Sequence, residues 1–163
     1  MKEPTAGALS LQESTSDKCA LTKCNIWSLD DSIRGATMPL PGGVLPVDAG
    51  AYQYVLGIFA PAREFFKVTS YYLEEPIVTK VILVFTDLSP RRVKDATKII
   101  SEEHADITVI HMSGFCRQSD KFLYEFYAKG DKKSYLEGLL ENIGARGFEF
   151  EYKVQKIMLD NNF

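Results

Sequence analysis

A polar turn in the middle of the chain holds the residues best suited to bind a small ligand. Asp87, Ser89, Arg91 and Arg92 lie between an apolar run and an amphipathic run. If a strand ends before the turn and a helix begins at Ser89 and Pro90, the first N–H groups of that helix face the turn, where an anion is favoured. The turn therefore predicts a site for a small anionic or zwitterionic molecule. The structural alternative is that Asp87 and Ser89 cap the helix while both arginines are solvated.

His111 is the second residue that could contact a ligand. It falls in an apolar run in phase with Ile107 and Val109, where an imidazole either binds a ligand or makes hydrogen bonds as a partly buried side chain. A small enzyme that uses His111 with a carboxylate is one alternative function. However, the sequence contains no nucleophile with an assignable base, so we predict no catalytic residue and interpret the chain as non-enzymatic.

The three cysteines do not form a metal-binding pattern. Cys19 and Cys24 are five residues apart, and further ligands would have to come from Cys116, His104 or His111. A structural zinc site normally uses two pairs of closely spaced ligands. Because the number of cysteines is odd and the chain is long enough to fold on its own core, we expect reduced thiols, no metal and no cofactor.

Composition limits the partners of the protein. The chain has 163 residues, of which 45% are hydrophobic and 25% charged, with a net charge of -3. This acidic balance does not favour nucleic acid. No apolar run approaches the roughly 20 residues that cross a bilayer, and the first residues lack the apolar stretch of a secretory signal. We therefore expect a cytoplasmic protein without membrane contact.

Residues 77–163 carry the pattern of one compact domain. Apolar, β-branched or alternating runs predict four strands, at residues 78–86, 107–112, 121–128 and 148–155. One helix should follow Ser89 and Pro90 and end near His104. A second helix is predicted from four apolar residues at helical spacing, Leu136, Leu139, Leu140 and Ile143. The order β-α-β-β-α-β predicts an α+β fold, the ferredoxin-like two-layer sandwich, in which both helices cover one face of the sheet and the other face meets water or a partner.

The N-terminal half is less regular. Residues 1–48 are predicted to be an extended N-terminal arm, mobile on its own unless a protein partner holds it, with one short strand at residues 25–29. In residues 49–76 the stretch 51–59 could be a strand or a helix. A helix is predicted at residues 61–74, because Phe65, Val68 and Tyr72 recur at helical spacing after Pro61.

The string VFTDLSPRRVKDATKIISEEHADITVIHMSG, which starts at Val84, resembles an ACT domain, a small ligand-sensing module found beside enzymes of amino-acid metabolism. The resemblance implies ligand binding at the turn that contains Asp87 and Arg92, and dimers formed through the sheets. This chain departs from the family pattern in an extra residue before Pro90 and in Arg91, where the family has glycine. The fold and the resemblance together predict a small-molecule-sensing or accessory subunit that forms homo-oligomers.

A second resemblance points to another class of function. The segment KFLYEFY, residues 121–127, resembles the third strand of the RNA-recognition motif, whose exposed rings stack on bases. Phe122, Tyr124 and Phe126 alternate onto one face of the predicted strand. If these rings are exposed, the alternative function is single-stranded RNA binding. If they are buried, they belong to the core and have no role in binding.

Overall fold

The computed structural model of the protein describes residues 21–30, 49–61, 64–86, 98, 106–118 and 120–159. These residues form an α+β fold made mostly of strands. The strands are β1 (Lys23–Ser28), β2 (Tyr54–Pro61), β3 (Phe66–Leu73), β4 (Ile77–Phe85), β5 (Val109–Gln118), β6 (Lys121–Lys129) and β7 (Glu151–Met158). A short 3-10 turn (Ala49–Ala51) precedes β2, and one α-helix, α1 (Lys133–Ala145), lies between β6 and β7. Within these ranges no helix is long and apolar enough to span a bilayer.

The last four strands form the C-terminal sheet, in the order β5-β6-β4-β7. Every neighbouring pair in it is antiparallel. Since β4 and β5 both run antiparallel to β6, they are parallel to each other and need a crossover connection. The same holds for β6 and β7, whose crossover contains α1.

Helix α1 covers one face of the C-terminal sheet, as its sequence predicts. Its four apolar residues at helical spacing are all buried: Leu136, Leu139, Leu140 and Ile143. They share a core with Val81, Leu83, Phe126 and other residues of the sheet. The helix gives way to Gly147, whose φ of 90° is in the left-handed region that favours glycine.

Strands β1, β2 and β3 form a second, antiparallel N-terminal sheet in that order. Its inner face packs on the C-terminal sheet, because Ile26, Leu56 and Ile58 share a core with Val78 and Tyr127. Val78 and Tyr127 point away from α1, since side chains alternate between the faces of a strand. The face that was expected to meet water or a partner is therefore covered by residues of the same chain.

The prediction of a helix at residues 61–74 is wrong, because Phe66–Leu73 is strand β3. Phe65, Val68 and Tyr72 fit a helical spacing, but in the structure the more buried side chains are Thr69, Tyr71 and Leu73, which have the two-residue period of a strand. β-branched and aromatic residues in this segment favour the strand, and pairing of all eight residues with β2 decides it.

The other predicted elements differ mainly at their ends. Strand β2 resolves the choice left open for residues 51–59, and β1 confirms the short strand predicted at residues 25–29. Strand β5 continues to Gln118, so a short hairpin connection replaces the expected eight-residue loop. Strand β7 runs from Glu151 to Met158, three residues later than predicted. Of the helix expected after Pro90, the structure describes only Lys98, which is helical.

Candidate functional site

The predicted ligand-binding turn follows the end of β4. Asp87, Ser89, Arg91 and Arg92 lie outside the described residues, so this site stays a prediction. Phe85, the last residue of β4, pairs with Phe122 of β6, which in turn pairs with Arg117 of β5. The Arg117 guanidinium lies 5.8 Å from the Phe122 ring centroid, and Lys121 lies 3.8 Å from the Glu151 carboxylate. Two basic side chains thus lie at the end of the sheet where β4 stops.

His111 lies elsewhere, between the two sheets. It pairs with Tyr127 on β6, and its Nδ1 is 2.8 Å from the hydroxyl of Tyr71 on β3. The imidazole makes edge contacts with both tyrosine rings, each at a centroid distance of 5.7 Å. His111 thus joins the N-terminal sheet to the C-terminal sheet, and its role in ligand binding stays a prediction.

The surroundings of His111 favour its neutral form. Burial lowers the pKa of the imidazole below the ordinary value of 6.5, and the positive charge of Lys67 acts in the same direction, while Glu125 opposes them. The stability that the neutral ring contributes is present above pH 6.5 and is lost as pH falls through the lower folded-state pKa. In an NMR titration we expect the His111 ring signals to change with a midpoint below 6.5. A midpoint at or above that value would contradict this environment, and His111→Gln should remove this part of the pH dependence of stability.

A buried ion pair dominates the space between the sheets. Lys80 of β4 and Glu125 of β6 are 5% and 2% exposed, and the Lys80 ammonium lies 2.5 Å from Glu125 Oε1. That oxygen has no partner of hydrogen-bond geometry among the described residues, so its contact with Lys80 is chiefly ionic. Burying two charges costs several kcal/mol per ion in general, unless each charge is paired and its remaining polar atoms are satisfied.

Thr22, just before β1, supplies the remaining partners of this pair. Its backbone N–H donates to Glu125 Oε2 at 2.9 Å, and its hydroxyl donates to the same oxygen at 3.1 Å. The Lys80 ammonium donates to the Thr22 carbonyl at 2.6 Å. The hydroxyls of Thr22 and Tyr127 are 2.6 Å apart, and either one can donate this hydrogen bond. We call Thr22, Lys80, Glu125 and Tyr127 the inter-sheet cluster.

The neighbouring thiol and phenol are not activated for catalysis. Burial raises the pKa of the Cys24 thiol, although a hydrogen bond with Tyr127 and the charge of Lys80 act against this. Burial also raises the pKa of Tyr127 far above its ordinary value. A protonated thiol is a poor nucleophile. Cys24 is a free thiol, whereas Cys19, His104 and the side chain of Cys116 fall outside what the structure describes.

No cluster of three or more His, Cys, Asp or Glu residues that could hold a metal ion occurs in the described part of the chain. The inter-sheet cluster combines one carboxylate with one ammonium and two hydroxyl groups. Such a set can bind hydrogen-bonding groups of either charge, because each charge is presented together with a neutral donor or acceptor.

The aromatic residues that resemble an RNA-binding strand do not form an exposed platform. Tyr124 and Phe126 are buried in the core beneath α1, and Phe122 is partly buried against it. Their placement in the core is confirmed. The expectation of exposed rings, on which RNA binding depended, is wrong, because this face of the sheet is the one that the helix covers.

Comparison with known proteins adds no functional assignment. No protein-family model matches the chain, and no curated protein has a significantly similar sequence.

Proposed function

We propose that this chain is a non-enzymatic small-molecule-sensing or accessory subunit with a ferredoxin-like C-terminal domain, and that it self-associates. The strand order β5-β6-β4-β7 is the observation that carries this proposal. In a ferredoxin-like sandwich each β-α-β half has two parallel strands separated by one strand of the other half. Strand β6 separates β4 from β5 in this way, and β4 separates β6 from β7.

The connection from β4 to β5 supports the same arrangement. It runs from Phe85 to Val109, which is long enough for a crossover of about a dozen or more residues such as the predicted helix. In that case the turn with Asp87, Ser89, Arg91 and Arg92 would present N–H groups to a ligand. Arg117 adds positive charge at this end of the sheet, which favours an anionic ligand, whereas the charge of Lys121 is offset by Glu151.

Pairing between the C-terminal sheets of two copies would use an edge of that sheet, because the N-terminal sheet and α1 pack on its two faces. The outer strands are β5 and β7. Strand β7 exposes three charged residues, Glu151, Lys153 and Lys156, and charged edges resist pairing. Strand β5 has Arg117 as its only Lys, Arg, Asp or Glu and exposes Val109 and Met112, by 38% and 61%. We therefore propose that β5 is the strand that meets a second copy.

The pairing pattern of β5 limits the proposed dimer contact to one part of this strand. Two register shifts interrupt its pairing with β6, between Val109 and His111 and between Met112 and Gly114. Such irregularities twist an edge locally. The regular stretch, residues 114–118, with Met112 beside it, is the part of the edge suited to antiparallel pairing with a second copy about a two-fold axis.

Light scattering after gel filtration tests this proposal on the full chain. We expect the full chain to be a dimer. Its dissociation constant should rise at least about 10-fold in Met112→Lys, because a buried ammonium at the contact costs at least about 1.4 kcal/mol. Met158→Lys is the matched control, since Met158 is 58% exposed on the opposite outer strand, and it should leave the dimer unchanged. A chain that is monomeric at every concentration, and that no anionic or zwitterionic compound stabilises in a thermal-shift screen, would contradict the proposal.

A further inference from the structure

The C-terminal sheet holds Thr22 in the way a binding site holds an amino acid. The N–H, the carbonyl and the side-chain hydroxyl of this one residue are all bound by side chains of that sheet. Glu125 accepts from the N–H and the hydroxyl, Lys80 donates to the carbonyl, and Tyr127 contacts the hydroxyl. Thr22 is 6% exposed, so water competes little for these contacts.

Strand pairing does not require these contacts. The ladder between β1 and β2 begins at the pair Lys23 and Phe59, so Thr22 lies just outside it. Leu21, which precedes Thr22, is 40% exposed. Departure of Thr22 from the inter-sheet cluster would break no β1–β2 pair, and it would leave the Lys80–Glu125 ion pair and the Tyr127 phenol without their internal partner.

The charges of the cluster match those of a free amino acid better than those of a peptide. Glu125 faces the nitrogen of Thr22, and Lys80 faces its carbonyl oxygen. In a free amino acid these two positions carry an ammonium and a carboxylate, which form stronger, charge-assisted hydrogen bonds with the same partners. Tyr127 and Glu125 both form hydrogen bonds with the hydroxyl group.

We infer that Lys80, Glu125 and Tyr127 form a recognition site for a β-hydroxy-α-amino acid unit, which Thr22 occupies as an internal ligand. The unit is either free L-threonine or L-serine, or such a residue within an extended peptide. This site is distinct from the turn after β4, and the inference goes beyond the proposed function by adding a ligand class and a place where it binds. The competing explanation is that the cluster only fastens the two sheets.

Calorimetric titration of the full chain and of Thr22→Gly distinguishes these explanations. The ligands are L-threonine, L-valine as the matched compound without a hydroxyl, and the peptide acetyl-Leu-Thr-Lys-amide. We expect L-threonine to bind Thr22→Gly at least about 10-fold more tightly than it binds the unsubstituted chain, because the internal hydroxyl no longer competes. L-valine should bind at least about 10-fold more weakly than L-threonine, since it leaves the Tyr127 and Glu125 groups unpaired.

Tyr127→Phe provides the specificity control. It keeps the ring and removes the hydroxyl, so the preference for L-threonine over L-valine should fall several-fold while the circular dichroism spectrum stays the same. Binding of the free amino acid alone, of the peptide alone, or of both supports the site and identifies the source of the ligand. If folded Thr22→Gly, or Thr22→Val should the glycine variant not fold, binds neither compound at millimolar concentration, the inference is overturned. A monomeric chain in light scattering would count against the proposed self-association and leave this result untouched.

Discussion

Replacing Glu125 by alanine should lower the free energy of unfolding by about 3–5 kcal/mol, because it leaves a buried ammonium without its counter-charge. Lys80 is 5% exposed, and among the described residues its ammonium would keep the Thr22 carbonyl and the Tyr127 ring, whose centroid is 5.4 Å away. The same change also removes the acceptor of the Thr22 N–H and hydroxyl. Urea unfolding followed by circular dichroism measures the loss.

Two further variants separate the cost of a lone charge from the value of the pair. Glu74→Ala removes another Lys–Glu ion pair, the one with Lys129, in which the charged atoms are 2.9 Å apart but both side chains are well exposed. This change should alter stability little. The double change Lys80→Met with Glu125→Leu should recover only part of the loss, because it removes the lone buried charge but still leaves the buried N–H, hydroxyl and carbonyl of Thr22 without these partners. A Glu125→Ala variant as stable as Glu74→Ala would show that the pair is not buried as described.

Leu56→Ala should destabilise the whole molecule, and not the N-terminal sheet alone, by about 2–5 kcal/mol. Leu56 of β2 is fully buried and shares a core with Val78 and Tyr127 of the C-terminal sheet. Because the two sheets close this core together, opening one exposes apolar surface of the other. The two sheets should therefore unfold in one transition.

Two spectroscopic probes report the unfolding of the two sheets separately. Trp27, the only tryptophan, is buried on β1, so its fluorescence reports the N-terminal sheet. The helical signal in circular dichroism includes α1, which packs on the C-terminal sheet. In Leu56→Ala both denaturation midpoints should fall together. Val68→Ala, at a position 39% exposed on β3, should move neither by much. A fluorescence transition that shifts alone would mean that the N-terminal sheet is an independent unit.

Some elements are encoded locally, and the sequence alone identifies them. Strand β4 is an almost continuous β-branched run, and α1 carries an apolar stripe at one spacing that only a helix places on one face. Strand β3 shows the limit of such patterns. Its apolar residues fit both a helical and a two-residue period, and only the hydrogen bonds to β2 select the strand.

In the inter-sheet cluster, too, the local sequence predicts one part of the arrangement and distant contacts produce the other. Lys80 and Glu125 are visible in the sequence as single charges inside apolar strands, which is a signal that they need buried partners. Their pairing with each other depends on the β4–β6 register. This register sets Lys80 beside Tyr127 and Ile82 beside Glu125, so Lys80 and Glu125 are diagonal neighbours on one face of the sheet.

Local periodicity is enough to identify some segments: β1, β4, β6, α1 and the approximate position of β7. Contacts between distant segments produce the second sheet, the cover on both faces of the C-terminal sheet, and the hydrogen bond from Thr22 to Glu125, 103 residues away in the chain. The physical reason is that periodicity reports which side of an element is apolar, whereas pairing and burial of a charge depend on the free energy of contacts between distant segments, which no local pattern contains.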